Sequence, residues 1–428
     1  MTLGGPGSRR VVVLLALGVL PPPSSPGQAP RPPEFSSRVE MVTVEVSVLD
    51  RQGQPVSGLG RDAFALFEDG VKQEISAFDA IDLREDRLPP DRPADEPAPS
   101  VSASATSPSV RSWTYVLVVD DIHLTPSQAT DVRKAASSFL GSVPAGARVV
   151  LIATGARIVE DHRMPAGREV LETGLAKVRG SLSVARGDEL ISDHEAYEIH
   201  VRHDAVIEDI VTRRIVRLER GDDLEMDDPH AEHAGMLRAI TETRGRAAKR
   251  YYLTTLRTRT TLGVLANALR WLAGTRGRRI VVLASRGFIR DPAITEFEDV
   301  ARASLLANVA VTFLDVRGQG GVSPYESAEY GPALEVGHLP QAVADGFSEA
   351  AGTESLALET GGLIIRRANN LGKGIERIVA ASRTCYLLGF QPAKGARDGK
   401  YRKLSVRLVG GGEGWSVVGR RGYYAPRE

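Results

Sequence analysis

The feature that most constrains the fold is a run of five apolar residues, 115–119, that ends directly in Asp120 and Asp121. An apolar run of this length is too short for a buried helix and is typical of a strand that is covered on both faces. A helix should begin immediately afterwards, because residues 125–128 supply an N-cap, a proline at the first helical position and the return partner of a capping box. The two aspartates are therefore predicted at the carboxyl end of a buried strand.

Apolar strands and helices continue to alternate along the middle of the chain. Strands are predicted at residues 148–154, 279–283, 310–314 and 363–365, and helices at residues 261–273, 296–308, 356–360 and 371–381. This alternation predicts an α/β fold with a doubly wound, mostly parallel sheet of Rossmann-like type and helices on both faces. Ligands of such sheets bind at the carboxyl ends of the strands.

The two ends of the mature chain have a different periodicity, in which apolar and polar residues alternate one by one. This pattern occurs at residues 42–48 and again at 403–408, and Asp-Gly hairpin signals lie at residues 69–70 and 398–399. Because so few strands make a marginal core alone, we predict one small flanking β domain formed by residues 35–83 and 385–428 together. A Pro/Ala/Ser-rich linker, residues 84–112, leads into the α/β domain at 113–384.

Two segments interrupt the α/β alternation. Residues 180–250 form a charged, helix-compatible insertion that contains five of the eight histidines, and residues 317–350 are predicted to be a surface loop. His200 and His203 could share a helical face and bind zinc. The segment 194–198, however, has a glutamate where the HExxH motif needs its second histidine, so zinc is the minor alternative.

The N-terminus predicts export. Two arginines precede an apolar run at residues 11–20 and a zone of small residues, which together indicate a signal peptide over residues 1–29, with an uncleaved interfacial anchor as the alternative. The protein should then be periplasmic or extracellular, with no stable membrane insertion after cleavage. Because 54 basic residues balance 54 acidic ones, nucleic acid is not an expected partner. The single cysteine, Cys385, is predicted to be a buried, inert thiol.

Several sequence blocks resemble a known family. The block at residues 42–82, the middle block "LALETGG", and the closing blocks "CYLLGFQP" and "RRGYYAP" are similar to the acidobacterial von Willebrand factor A-related proteins. The resemblance covers nearly the whole mature chain and implies an exported protein with a central A-type domain. A-type domains mostly bind macromolecules, often through a divalent cation held by a first-loop acid and hydroxyls, a second-loop threonine and a third-loop acid.

This sequence departs from the pattern that the resemblance implies. The first loop has His123 where a hydroxyl is usual, and the third loop has Arg286 where the acid belongs. A guanidinium is charged at any accessible pH and repels a cation. We therefore expect a degenerate metal site without a cofactor, at which Mg²⁺ would be the cation to test; its ligands would be Asp121, Thr125 and Thr261.

The predicted binding site consists of six residues at the carboxyl edge of the sheet: Asp120, Asp121, His123, Thr125, Thr261 and Arg286. Five of the six have a structural alternative. Helix capping would explain Thr125 and either Thr260 or Thr261, stabilisation of a helix start would explain the aspartates, and a solvated loop position would explain Arg286.

The function predicted from the sequence is a non-enzymatic binding or adhesion module that recognises a protein or a cell-surface polymer. Two alternatives belong to other classes. The first is a metal-dependent hydrolase that uses the histidine-rich insertion, and the second is a purely structural envelope component.

Overall fold

The computed structural model describes residues 41–82, 113–182, 191–220, 229–275, 277–317, 339–366, 371–392 and 398–425. The predicted signal peptide, the linker at 84–112 and most of the predicted loop at 317–350 lie outside these residues. All the described residues belong to one compact unit, Met41–Glu428. None of the described helices is long and apolar enough to cross a bilayer.

A six-stranded sheet forms the centre of this unit and confirms the general α/β fold. Its strands are β5 (Trp113–Val119), β6 (Arg148–Ala153), β7 (Ile158–Arg163), β8 (Arg278–Ser285), β9 (Val311–Asp315) and β10 (Ile364–Ile365), in the spatial order β10-β9-β8-β5-β6-β7. All neighbours are parallel except β6 and β7. The apolar run before the aspartates is therefore a central strand, between β6 and β8.

Helices cover both faces of this sheet. The helices of the described residues are α1 (Pro126–Ser142), α2 (Arg168–Lys177), α3 (Asp193–His200), α4 (Ala205–Arg220), α5 (Pro229–Ala273), α6 (Glu296–Ala307), α7 (Leu339–Thr360) and α8 (Leu371–Arg383), of which α3 and α4 pack on α5 rather than on the sheet. One apolar core lies between the sheet and α1, α2 and α8, and a second lies between the sheet and α5 and α6. Alternate side chains of β5 point into opposite cores, which explains why this strand is apolar throughout.

Strands from the two ends of the chain pair with one another in two small antiparallel sheets. The strands are β1 (Val42–Leu49), β2 (Phe64–Glu68), β3 (Val71–Gln73), β4 (Ile75–Asp82), β11 (Thr384–Phe390), β12 (Tyr401–Leu408), β13 (Ser416–Gly419) and β14 (Gly422–Tyr424). The first sheet has the order β13-β1-β11-β4 and the second β14-β12-β2-β3. They share an apolar core that includes Val44, Leu66, Tyr386 and Leu404. β11 follows α8 without a connecting loop, so these sheets adjoin the α/β part directly.

Two predicted boundaries are wrong. The helix predicted at 261–273 is only the end of α5, which is 45 residues long, and α7 begins at Leu339 inside the segment that we predicted to be a loop. The first half of α5 packs against α3 and α4, whereas its second half packs against the sheet and α6. The change of packing partner along one continuous helix explains why the apolar pattern suggested a helix start at Thr261.

The zinc alternative gains no support from the described residues. α3 ends at His200, and His203 follows with a left-handed φ of +55°, so the two histidines do not share a helical face. His200 instead lies against the ring of Tyr251, and His194 pairs with Glu198 at 3.4 Å. The part of the chain that the structure describes contains no group of three or more His, Cys, Asp or Glu side chains that could hold a metal ion.

Candidate functional site

The candidate site lies where β5, β6 and β8 reach the carboxyl edge of the central sheet. The ladder of β5 continues beyond its last residue, because the Asp120 amide donates to the Ala284 carbonyl and the Thr154 amide donates to the Val119 carbonyl. The first residues after these three strands are thus brought together. These residues carry the polar side chains that form the site.

Asp120 is the centre of the site and is fully buried. Its carboxylate accepts hydrogen bonds from the Thr261 hydroxyl at 2.7 Å and from the Ser285 hydroxyl at 2.6 Å. His123 Nδ1 lies 2.9 Å from it, and because a carboxylate can only accept, this ring nitrogen carries the proton. Three separate elements, namely the loop before α1, helix α5 and the end of β8, therefore meet at one carboxylate.

The pKa of Asp120 reflects this environment. Burial raises the pKa, because it disfavours the charged form. The charge of His123, together with hydrogen bonds from His123, Ser285 and Thr261, outweighs burial and lowers the pKa below its ordinary value. Asp120 is therefore a stable anion inside the protein.

Asp121 lies next to this cluster, since the Thr154 hydroxyl that it binds is also 3.4 Å from the Asp120 carboxylate, and it organises the neighbouring loop. Its carboxylate accepts from the Thr154 hydroxyl at 3.0 Å and from the amides of Gly155 and Ala156 at 2.6 and 2.9 Å. Residues 155–157 themselves are exposed. Asp121 thus holds an exposed loop in one conformation, and it is not a cap of α1.

His123 has one ring nitrogen without a hydrogen-bond partner. Nε2 is buried and unpaired among the described residues, and the ring lies 5.7 Å from that of Phe288. The side chain is only 2% exposed. The Asp120–His123 pair therefore resembles the orienting half of a catalytic triad, but no described hydroxyl group bonds to the free nitrogen.

Two predicted threonines have different roles. Thr125 is the N-cap of α1, and its capping box with Gln128 is confirmed. Thr261 lies inside α5, so the alternative that it caps a helix is wrong; its hydroxyl bonds to Asp120. Within the described residues no hydrogen bond joins the three predicted metal ligands to one another: Asp121 binds the 155–157 loop, Thr125 caps a helix and Thr261 bonds to Asp120.

Arg286 is buried rather than solvated, which corrects the interpretation of this residue as a solvated loop arginine. It is 3% exposed and pairs with Glu349 of α7 at 2.7 Å. Its charge also acts on Asp193 of α3. Burial opposes ionisation of Asp193, but the charges of Arg250 and Arg286 and further hydrogen bonds lower its pKa strongly. A buried ionic network therefore connects the site to the helical insertion.

The residues around Asp120 do not fit a divalent cation. Mg²⁺ prefers several oxygen ligands in octahedral geometry. Here the Asp120 oxygens already accept from two hydroxyls and an imidazole, Asp121 binds the 155–157 loop, and Arg286, where the resemblance predicts an acid, is paired with Glu349. The arrangement is a closed hydrogen-bond network that fixes the positions of three loops.

Sequence reasoning missed three members of this network: Ser285, Thr154 and Glu349. Ser285 and Thr154 each follow an apolar strand segment, and this position is the signal that could have identified them. Glu349 belongs to α7, inside a segment that was predicted to be a loop. No local pattern links it to Arg286, which is 63 residues away in sequence.

Comparisons with known proteins leave the site to be interpreted from its own geometry. No family model matches the sequence, and no curated protein matches it. Among solved structures, the N-terminal domain of TFIIH p34 matches at 9% identity over 63% of this chain and 97% of that domain, with a TM-score of 0.28. A TM-score this low does not establish a shared fold.

Proposed function

We propose that this protein is an exported, non-enzymatic binding protein of the von Willebrand factor A-like type. It recognises a protein or a cell-surface polymer outside the cytoplasm, through the carboxyl edge of its central sheet and without a bound cation. The observation that carries the proposal is the meeting of Asp120, Thr261 and Ser285 at the end of the central strand. An acid from the first loop and two hydroxyls from the other loops are the groups that an A-type site would place together.

The polarity of the hydrogen bonds favours binding over catalysis. A serine or threonine nucleophile must give its proton to a base such as histidine. The Ser285 and Thr261 hydroxyls instead donate to Asp120, and His123 Nε2 is enclosed without a hydroxyl partner among the described residues. These groups therefore act as fixed structural donors.

The surface that would contact a partner is the loop which the buried network supports. The predicted site residues are themselves at most 4% exposed, so they cannot supply much contact area. Residues 155–157, which Asp121 holds, are exposed, and Arg157 adopts a left-handed φ of +50° at the end of this loop. Binding residues are often carried on loops that a rigid scaffold positions. Arg157 is thus the side chain best placed to interact with a partner.

A capture experiment tests this function. The protein is incubated with a cell-envelope extract of the source organism, and the partner that it captures is cross-linked to it. Arg157→Glu should abolish capture, because it reverses the charge of the exposed loop. Arg163→Glu is the matched control: Arg163 is an exposed arginine at the end of antiparallel β7, at the opposite edge of the sheet. Capture by the unchanged protein should be equal in Mg²⁺ and in EDTA.

Two results would contradict the proposal. Loss of capture in EDTA would show that a cation takes part, and equal capture by Arg157→Glu and Arg163→Glu would show that the carboxyl edge is not the binding surface. Cell fractionation with an antibody to the chain tests export separately, and accumulation in the cytoplasm would contradict it.

A further inference from the structure

A cavity of about 110 Å³ lies at the amino ends of β8 and β9, at the sheet edge opposite to the candidate site. Its walls come from both parts of the fold, since β1 and β13 of the antiparallel sheets face β8, β9 and α8 across it. A water molecule needs roughly 10–15 Å³ of such a volume. The cavity can therefore hold several waters or a small ligand.

Two of the sequence blocks described above meet at this cavity. Gly361 and Gly362 end the block "LALETGG", and Arg420 begins the block "RRGYYAP". A Cβ at Gly361 would lie 2.4 Å from backbone atoms of Arg420, and one at Gly362 would lie 2.0 Å from the Val311 carbonyl oxygen. Only glycine permits this close approach, so the wall of the cavity depends on these two residues.

The charges that face the cavity are strongly unbalanced. Its lining contains three arginines, Arg278, Arg279 and Arg420, and one acid, Glu45. Glu45 pairs with Arg278 at 2.9 Å. Within the described part of the chain, neither Arg279 nor Arg420 forms an ion pair with a carboxylate. Three guanidinium groups therefore share the single carboxylate of Glu45, which leaves two excess positive charges in the described lining of the cavity.

The two arginines are half-buried and bind backbone carbonyls. Within the described residues, Arg279 donates to the carbonyls of Leu272 and Thr275, and Arg420 donates to the carbonyl of Thr43. Desolvation lowers the pKa of both guanidinium groups, and it outweighs the opposing effects of Glu45 on Arg279 and of Tyr423 and Tyr401 on Arg420. Arg420 Nε is in addition buried without a hydrogen-bond partner among the described residues.

We propose that this cavity binds a phosphate group, with Arg279 and Arg420 as its charged ligands. Arginine presents a planar fork of donors that matches phosphate oxygens. The uncompensated pair of positive charges matches the charge of a phosphate, which is about −1.5 to −2 at neutral pH, better than that of a single carboxylate. This site goes beyond the proposed function, because it lies at the other edge of the sheet and uses none of the residues around Asp120.

The test measures the thermal unfolding of the full chain and its binding of inorganic phosphate by calorimetry. Phosphate should bind and raise the melting temperature, whereas acetate at the same ionic strength should not. In Arg279→Met, phosphate affinity should fall by at least ~10-fold. The variant should not unfold at a lower temperature without phosphate, because Arg279 is half-buried and forms no salt bridge within the described residues that the substitution could break.

Matched variants and a second ligand make the test decisive. Arg302→Met removes the same charge from an exposed position on α6 and should keep the full response. Arg420→Met is a second variant at the cavity and should lose the response to phosphate. The bound phosphate group could belong to a phosphomonoester or be free phosphate, and glycerol phosphate distinguishes the two. If glycerol phosphate binds more tightly than inorganic phosphate, the ligand is a phosphomonoester; if it binds more weakly, the ligand is free phosphate. No binding of either probe, or an unchanged response in Arg279→Met, would overturn the proposal.

Discussion

At the scale of single residues, Asp120 shows how a buried charge can fix loops rather than perform chemistry. Three groups from three parts of the chain satisfy its carboxylate: the His123 imidazole and the hydroxyls of Thr261 and Ser285. An ionised carboxylate pays a large desolvation penalty unless it is fully hydrogen-bonded. The network therefore depends on the negative charge as well as on the shape of the side chain.

Asp120→Asn should accordingly lower the free energy of unfolding by about 3 kcal/mol at neutral pH, because it removes the charge that three buried donors share. Because the folded-state pKa of Asp120 lies below the ordinary value of 3.8, its stabilisation is complete above that value and is lost as the pH falls through the folded-state pKa. Urea unfolding should thus show a difference between the two proteins that narrows only below pH ~4. Asp62→Asn, at a fully exposed side chain, is the control. An equal effect of both substitutions would contradict this account.

At the scale of elements, α7 is held against the loop that follows β8 by three neighbouring positions. Glu349 pairs with Arg286, the Thr353 hydroxyl accepts from the Phe288 amide, and Gly352 donates its amide to the Phe288 carbonyl at 2.9 Å. A Cβ at Gly352 would lie 2.7 Å from the Phe288 carbonyl oxygen. The absence of a side chain is therefore what allows the helix to reach the loop.

Gly352→Ala should separate α7 from this loop and reduce the free energy of unfolding by about 2 kcal/mol, the usual scale for overpacking. Gly263→Ala is the matched control, since Gly263 also lies in a helix but has open space where its Cβ would be. It should stabilise the protein by about 0.5–1 kcal/mol, because alanine has the higher helix propensity. Chemical denaturation of both variants measures the contrast, and two changes of the same sign would show that the close approach is unimportant.

The helices and strands also show which parts of the fold and of the site local sequence signals can predict. The residues before Asp120 and the capping box at Thr125 are local signals, and the structure has the strand and the helix that they predict. α5 could not be delimited in this way, because its two halves pack against different partners. The site was predicted only where a residue directly follows an apolar strand or begins a helix. Glu349 and the role of Thr261 depend on packing between distant segments, which no local pattern encodes.

At the scale of the whole molecule, the antiparallel sheets and the α/β part are joined by continuous structure. α8 packs on the central sheet, and β11 begins at the residue after it. Beside this junction the Tyr115 hydroxyl bonds to Ser382 of α8, and across it the Arg278 guanidinium contacts the Cys385 thiol. That cysteine is buried, as predicted, and burial raises its pKa to about 12. A rigid connection of this kind should couple the unfolding of both parts.

Leu388→Ala tests this coupling. Leu388 is fully buried in β11, and this strand pairs with β1 and β4 rather than with a strand of the central sheet. Removing its side chain should cost about 2–5 kcal/mol. If the described body unfolds as one unit, native-state hydrogen exchange should accelerate by the same factor at Val44 in β1 and at Val116 in β5, since both amides then exchange through the same global opening. Leu283→Ala in β8 is the reciprocal control and should accelerate the same two amides. In Leu388→Ala, faster exchange at Val44 with unchanged exchange at Val116 would mean that the antiparallel sheets open separately. The junction at Ser382 and Cys385 would then be a hinge between two independently stable parts.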